Sequence, residues 1–222
     1  GGSSVILSAA NGADIKVLNM YSRSPKAFCM YSKDESLTTP ESLRGKTIAG
    51  PTGTNLHELL VSYLATAGMT IDDVNYVNMS IPDAKAGLDG GSVDVVAGAT
   101  AYNAGQQGYH LVADGEGLIK AIIAVAVTQK FYDEHPEIIE KLEEAQTEIA
   151  DFMEEKPDET MQIVADELDL DTDAVKSMYD LYDFSTEITD DDKEGFQKTA
   201  DFMYESGMID EAFDVKQLFI EK

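Results

Sequence analysis

SLRGKTIAGPTGTNLHELLVSYLATAG, residues 42–68, changes its hydrophobic period halfway along. Thr47-Ile48-Ala49 is a short apolar run held between Gly45-Lys46 and Gly50-Pro51, the form of a buried strand. From Asn55 the apolar residues Leu56, Leu59, Leu60, Tyr63, Leu64 and Ala67 recur every three or four positions until Gly68, which predicts an amphipathic helix over 55–67. A strand that passes through a Gly/Thr turn into a helix is the first half of a strand-helix-strand unit, and such units build parallel sheets.

The same alternation extends to both sides. Short β-rich runs fall at Ile15–Met20, Lys26–Tyr31, Asn75–Asn78, Val93–Ala97, Leu111–Ala113 and Ile122–Val127, and helical patterns at Ser4–Ala10, Pro82–Asp89 and Ala101–Gln107. After about residue 128 helices take over. The spacing of Ile138, Leu142, Ala145, Ile149, Phe152 and Met153 predicts one long amphipathic helix after Phe131, and Pro157, Leu170-Asp171 and Thr189-Asp190 open further ones. No internal repeat or low-complexity segment interrupts the pattern.

The 222 residues suffice for one large domain or two small lobes, and 43% apolar with 26% charged is an ordinary globular composition. The longest apolar run, Ala121–Val127, is far short of the roughly 20 residues a membrane-spanning helix needs. No leader pattern opens the chain at Gly1-Gly2-Ser3-Ser4, so a secretion signal is expected to have been removed or never included. A net charge of −26 argues against nucleic acid and anionic membranes as partners. The charge is uneven: residues 1–130 carry 9 Lys/Arg and 12 Asp/Glu, residues 131–222 carry 7 and 30, so two regions with different surfaces are expected. The single cysteine, Cys29, lies in an apolar stretch and reads as a buried thiol; one cysteine excludes an intrachain disulfide and a multi-cysteine metal site.

Enzyme signatures are absent. Gly50-Pro51-Thr52-Gly53-Thr54-Asn55 lacks the lysine of a phosphate-transfer loop, and His57, His110 and His135 stand in no metal-binding spacing. His57 reads as a packing or surface residue in preference to an acid–base catalyst. No catalytic residue, cofactor or metal is expected.

What the sequence repeats is Gly, Ser, Thr and Asn at the entry to helices: Gly1-Gly2-Ser3-Ser4, Thr52-Gly53-Thr54-Asn55, and Gly98-Ala99-Thr100-Ala101-Tyr102-Asn103. In α/β sheets the ligand crevice lies at the carboxyl ends of strands, and free N–H groups at a helix start attract anions without Lys or Arg. The plainer alternative is that Ser4, Thr54 or Asn55 only caps its own helix, worth about 1 kcal/mol.

Three segments carry a resemblance. Ser42-Leu43-Arg44-Gly45-Lys46-Thr47-Ile48-Ala49 with Gly53-Thr54 is similar to the Leu-x-Gly-Lys strand and substrate loop of periplasmic-type solute-binding proteins of ABC importers. The stretch from Asp83 to Ala97, with Gly90-Gly91-Ser92-Val93-Asp94-Val95-Val96, resembles their Ala-Leu-x-x-Gly-x-Val-Asp-Ala segment. Phe131-Tyr132-Asp133-Glu134-His135-Pro136-Glu137 resembles the entry to their late helices. The branch is the one that binds nitrate, sulfonates, taurine and thiamine-precursor pyrimidines.

The resemblance implies a two-lobed α/β clamp with mainly parallel sheets, followed by a helical C-terminal region. Residues 1–33 would be a remnant of an incomplete first lobe, 34–119 the second lobe, and 120–222 a crossover strand and the acidic helices returning to lobe one, with Tyr31–Lys33 and Ile119–Ile123 near the crossovers. It places ligand contacts at Ser3 and Ser4, at Thr52, Gly53, Thr54 and Asn55, and at Thr100, Ala101 and Tyr102. It also implies reversible capture by lobe closure with no chemistry, delivery to a membrane permease and its ATPase, and an extracytoplasmic location in the periplasm or on a lipid anchor attached upstream. Family members begin with further strand-helix units, so an exposed sheet edge and a homodimer are expected. Two rivals share the fold: the sensing domain of a signalling receptor, and a pyrimidine-synthase-like enzyme, whose cysteine-rich motif has no counterpart here.

Overall fold

The structure, a computed structural model, describes residues 1–98 and 108–220. In chain order its strands are β1 (Lys16–Arg23), β2 (Cys29–Ser32), β3 (Thr47–Gly50), β4 (Asn75–Asn78), β5 (Val95–Ala97), β6 (His110–Asp114) and β7 (Ile122–Val127). The α-helices are α1 (Gly2–Ala10), α2 (Asn55–Ala65), α3 (Ile81–Gly90), α4 (Gln129–Glu134), α5 (Pro136–Glu155), α6 (Pro157–Leu168), α7 (Thr172–Tyr179) and α8 (Asp190–Glu205). The predicted helix Ala101–Gln107 lies outside the described residues. No described helix is long and apolar enough to cross a membrane. By contact the chain divides into two units: Gly1–Arg23, Ile122–Tyr204 and Ile209–Lys222 form one, Ser24–Ala121 with Glu205–Met208 the other.

The second unit is a five-stranded sheet in the order β4-β3-β5-β2-β6 covered on both faces. Side chains alternate across a pleated strand, and β2, β3 and β5 split their apolar residues between two layers. Ile48, Met30, Val95 and Ala97 join the Leu56, Leu59, Leu60 and Leu64 stripe of α2 on one face. Ala49, Cys29, Tyr31 and Val96 join Ala84 and Leu88 of α3 on the other. Strands buried on both faces read as continuous apolar runs, which is why their sequences show little alternation.

The sheet is mixed where a mainly parallel one was expected. β3 runs parallel to β4 and β5, but β2 is antiparallel to both β5 and β6. Among the described residues only β3, β4 and β5 are joined by helical crossovers, α2 and α3, and crossovers are what force strands to be parallel. β2, which contains Tyr31, lies between β5 and the edge strand β6.

In the first unit β1 pairs antiparallel with β7 through two register shifts, at Val17/Asn19 and Met20/Ser22. Val5 and Ile6 of α1, Val17, Leu18 and Met20 of β1, Phe196, Ala200 and Met203 of α8, and Val215 and Leu218 are all buried. The helical run after residue 128 is broken once more than its hydrophobic spacing predicts. α4 ends at Glu134 and α5 starts at Pro136, with His135 between them at φ −134°. A proline excludes the helical conformation at the residue before it while favouring the first helical position for itself. Lys156-Pro157 repeats the device between α5 and α6.

Candidate functional site

The turn Pro51–Thr54 leaves the carboxyl end of β3 and opens α2. Gly50 ends the strand against β5 so closely that an added Cβ would stand 2.6 Å from the Ala97 carbonyl oxygen. Gly53 turns the chain at φ +75°, a conformation that side-chain-bearing residues rarely adopt. Thr54 caps α2, its hydroxyl accepting from the Leu56 N–H at 3.3 Å and donating to the Pro51 carbonyl at 2.8 Å.

Two side chains hold the turn from outside it. The Thr52 N–H donates to Asn78 Oδ1 at 3.0 Å, and the Gly53 N–H donates to His57 Nδ1 at 3.3 Å. Asn78 can do so because it faces Gly50 across the parallel β3–β4 ladder. His57 lies one turn into α2, 8% exposed, with its ring stacked on Tyr76 at 4.7 Å and an interplanar angle of 4°. Burial pushes the His57 pKa down, which keeps the imidazole neutral and Nδ1 an acceptor at neutral pH. The Tyr76 hydroxyl donates to the Gly50 carbonyl at 2.9 Å and its pKa is pushed up by burial. The Met208 side chain covers Gly53.

This arrangement has no Lys or Arg between residues 50 and 58, so its attraction for an anion rests on peptide dipoles, hydroxyls and the positive end of α2. Glu58, in the first turn and 3% exposed, is engaged by the chain. Thr52 presents an exposed side chain beside the half-buried Asn55.

The expected site residues thus fall in three places. Thr52, Gly53, Thr54 and Asn55 form one turn in the second unit. Ser3 and Ser4 lie in the first turn of α1 in the first unit, where no acidic side chain occupies the positive end of the helix dipole and Gly1 provides no side-chain cap. Thr100, Ala101 and Tyr102 lie outside the described residues. Sequence reading passed over His57 and Asn78 as turn-holding residues. The one local signal was a histidine four residues after a turn glycine, on the apolar side of its helix.

Cys29, the chain's only thiol, is fully buried, and burial first, then the charge of Asp114, pushes its pKa up to about 12. A neutral buried thiol is not a nucleophile.

The family model described as NMT1/THI5 like matches residues 1–160. The chain is 26% identical over its whole length to a Bacillus subtilis (strain 168) protein named as an aliphatic sulfonates-binding protein, covering 70% of that relative. Its fold is similar to that of the periplasmic aliphatic sulphonate binding protein SsuA from Escherichia coli, with a TM-score of 0.88 at 21% identity over 99% of this chain and 77% of that one. It is also similar to the desulfurization enzyme DSZB, with a TM-score of 0.74 at 15% identity over 100% of this chain and 81% of the other. With the matched region covering most of its length, the chain belongs to the NMT1/THI5-like family.

Proposed function

We propose that this protein is the extracytoplasmic solute-binding component of an ABC importer and that its ligand is an aliphatic sulfonate, bound reversibly and released unchanged. The observation that carries this reading is the Pro51–Asn55 turn: a helix entry at the carboxyl end of β3, without Lys or Arg, fixed by Asn78 and His57 at the positive end of α2. A sulfonate presents three acceptor oxygens and a single diffuse charge, which suits N–H and hydroxyl donors without a formal counter-ion. The names of the relatives support the sulfonate class. The two contact-defined units suit a two-lobed receptor, with Thr52–Asn55 as the contacts of one lobe and Ser3 and Ser4 as those of the other. A membrane permease and its cytoplasmic ATPase are the partners this role requires.

A non-catalytic role is favoured by Cys29, because the chain's one thiol is held protonated and out of reach. The test is a thermal-shift series with methane-, ethane- and butanesulfonate and taurine, against nitrate, short carboxylates and pyrimidines. A ligand at 100 times its Kd stabilises by about 2.7 kcal/mol. A rise confined to the sulfonates supports the reading, and a rise with another class and none with sulfonates ends it.

A further inference from the structure

Within the first unit a cavity of about 370 Å³ opens among β1, α5, α6, α7 and the segment that follows α7. A cavity of about 150 Å³ holds a benzene molecule, so this one has room for an aromatic ring with a short chain. Its walls are mostly apolar, and they carry four aromatic side chains, Tyr21, Tyr179, Tyr182 and Phe184. Phe184 lies 5.4 Å from Tyr179 and 5.6 Å from Tyr182, so three of the rings form one contiguous surface.

Two further observations narrow the occupant. Thr160, also on the wall and 5% exposed, has a buried hydroxyl oxygen with no hydrogen-bond partner. Leaving such a group unpaired is costly, and a ligand N–H would recover that cost. All of the wall except Tyr21 comes from residues 136–187, which hold 18 Asp/Glu and only 3 Lys/Arg. One of those three, Lys156, is paired with Glu159 and lies over the Phe152 ring. The field around the cavity is therefore strongly negative. It repels an anion of the kind proposed for the Pro51–Asn55 turn and attracts a cation, which aromatic faces also favour.

We propose that this cavity is a second ligand site, independent of the Pro51–Asn55 turn, and that it takes an arylalkyl ammonium ion. The rings of Tyr179, Tyr182 and Phe184 hold the aromatic and cationic parts, and Thr160 Oγ1 accepts an N–H. Nothing is made or broken there.

The experiment is calorimetric titration of the whole chain with 2-phenylethylammonium and with 3-phenylpropionate, which shares the ring and carries the opposite charge. The cation binds at least about tenfold more tightly, as one good cation–aromatic contact with charge attraction allows. Ala150→Phe, which fills the cavity, removes that binding, while circular dichroism shows the helices intact. Thr160→Val weakens the ammonium severalfold without lowering the melting temperature, because the hydroxyl it deletes has no partner to lose. Saturating ethanesulfonate leaves the ammonium affinity unchanged. Equal or tighter binding of the anion, no heat with the cation, or cation binding that survives Ala150→Phe would each overturn the proposal.

Discussion

Arg23 spends its guanidinium entirely inside the first unit. Nε and one terminal nitrogen grip Asp192 at 2.5 and 2.6 Å, and the remaining hydrogens go to the Ser185 carbonyl and hydroxyl and the Glu187 carbonyl. Asp192 is 1% exposed, and burial alone would raise its pKa. The Arg23 and Thr189 hydrogen bonds outweigh that and hold it below the usual carboxylate range. Arg23→Met leaves a buried carboxylate without its cation and should cost about 3–5 kcal/mol in chemical unfolding. Its stabilisation is present above the ordinary aspartate pKa and is lost as pH falls through the depressed one. His57 acts in the same direction, at higher pH. Its folded pKa lies below the unfolded value near 6.5, so the unfolded chain binds the proton first and stability should fall as pH drops from 7 to 5. His57→Phe keeps a ring against Tyr76 and removes that part of the slope. It also leaves the Gly53 N–H without the Nδ1 acceptor that holds the turn, so affinity for the ligand proposed above, measured by calorimetry, should drop by up to about tenfold as the turn loosens. Ala121 sits at φ +48°, outside the usual range for a non-glycine residue. Ala121→Gly should raise stability by up to about 1 kcal/mol by relieving that strain; a loss instead would show that the methyl, 6% exposed, matters more to packing.

At the scale of elements, β3 and α2 were the most legible part of the sequence because their period changes at one place and both buried stripes are complete. Gly50 marks the end of that strand for a reason no single-strand pattern contains, the approach of β5. Gly50→Val drives a side chain into the Ala97 carbonyl and should destabilise the second unit by several kcal/mol in a urea melt, far more than the same change at Gly90, where an added Cβ meets nothing. Strand direction was not legible: the apolar runs of β2 and β6 look alike in either orientation. Nor were the Asn78 and His57 contacts to the turn, since one depends on the β3–β4 register and the other on how a helix meets a loop. The helix break at Lys156 was read from Pro157, and the one at His135 could have been read from Pro136 in the same way.

For the whole molecule the dominant fact is charge. A chain with 42 Asp/Glu against 16 Lys/Arg repels itself when folded, chiefly through the acidic second half. Melting temperature at pH 7 should therefore rise by a few degrees between 10 and about 500 mM salt as the repulsion is screened. An unchanged or lower value would mean that local ion pairs such as Arg23–Asp192 outweigh the net field. Solubility should be poorest near the isoelectric point of about 4.1. The division of charge between residues 1–130 and 131–222 was plain in the sequence, but no residue pattern links α1 and β1 to the acidic helices with which they form one unit; only the family resemblance implied that return.

Cys29 offers a practical opening. A thiol with no accessible surface and a pKa near 12 will ignore maleimide reagents at neutral pH, so the native chain already behaves as though it were cysteine-free. Single cysteines placed at exposed positions, for example Ser36 in one unit and Glu211 in the other, would carry a donor and an acceptor dye without altering the core. Energy transfer between them would then show whether ligand changes the distance between the two dyes, one molecule at a time.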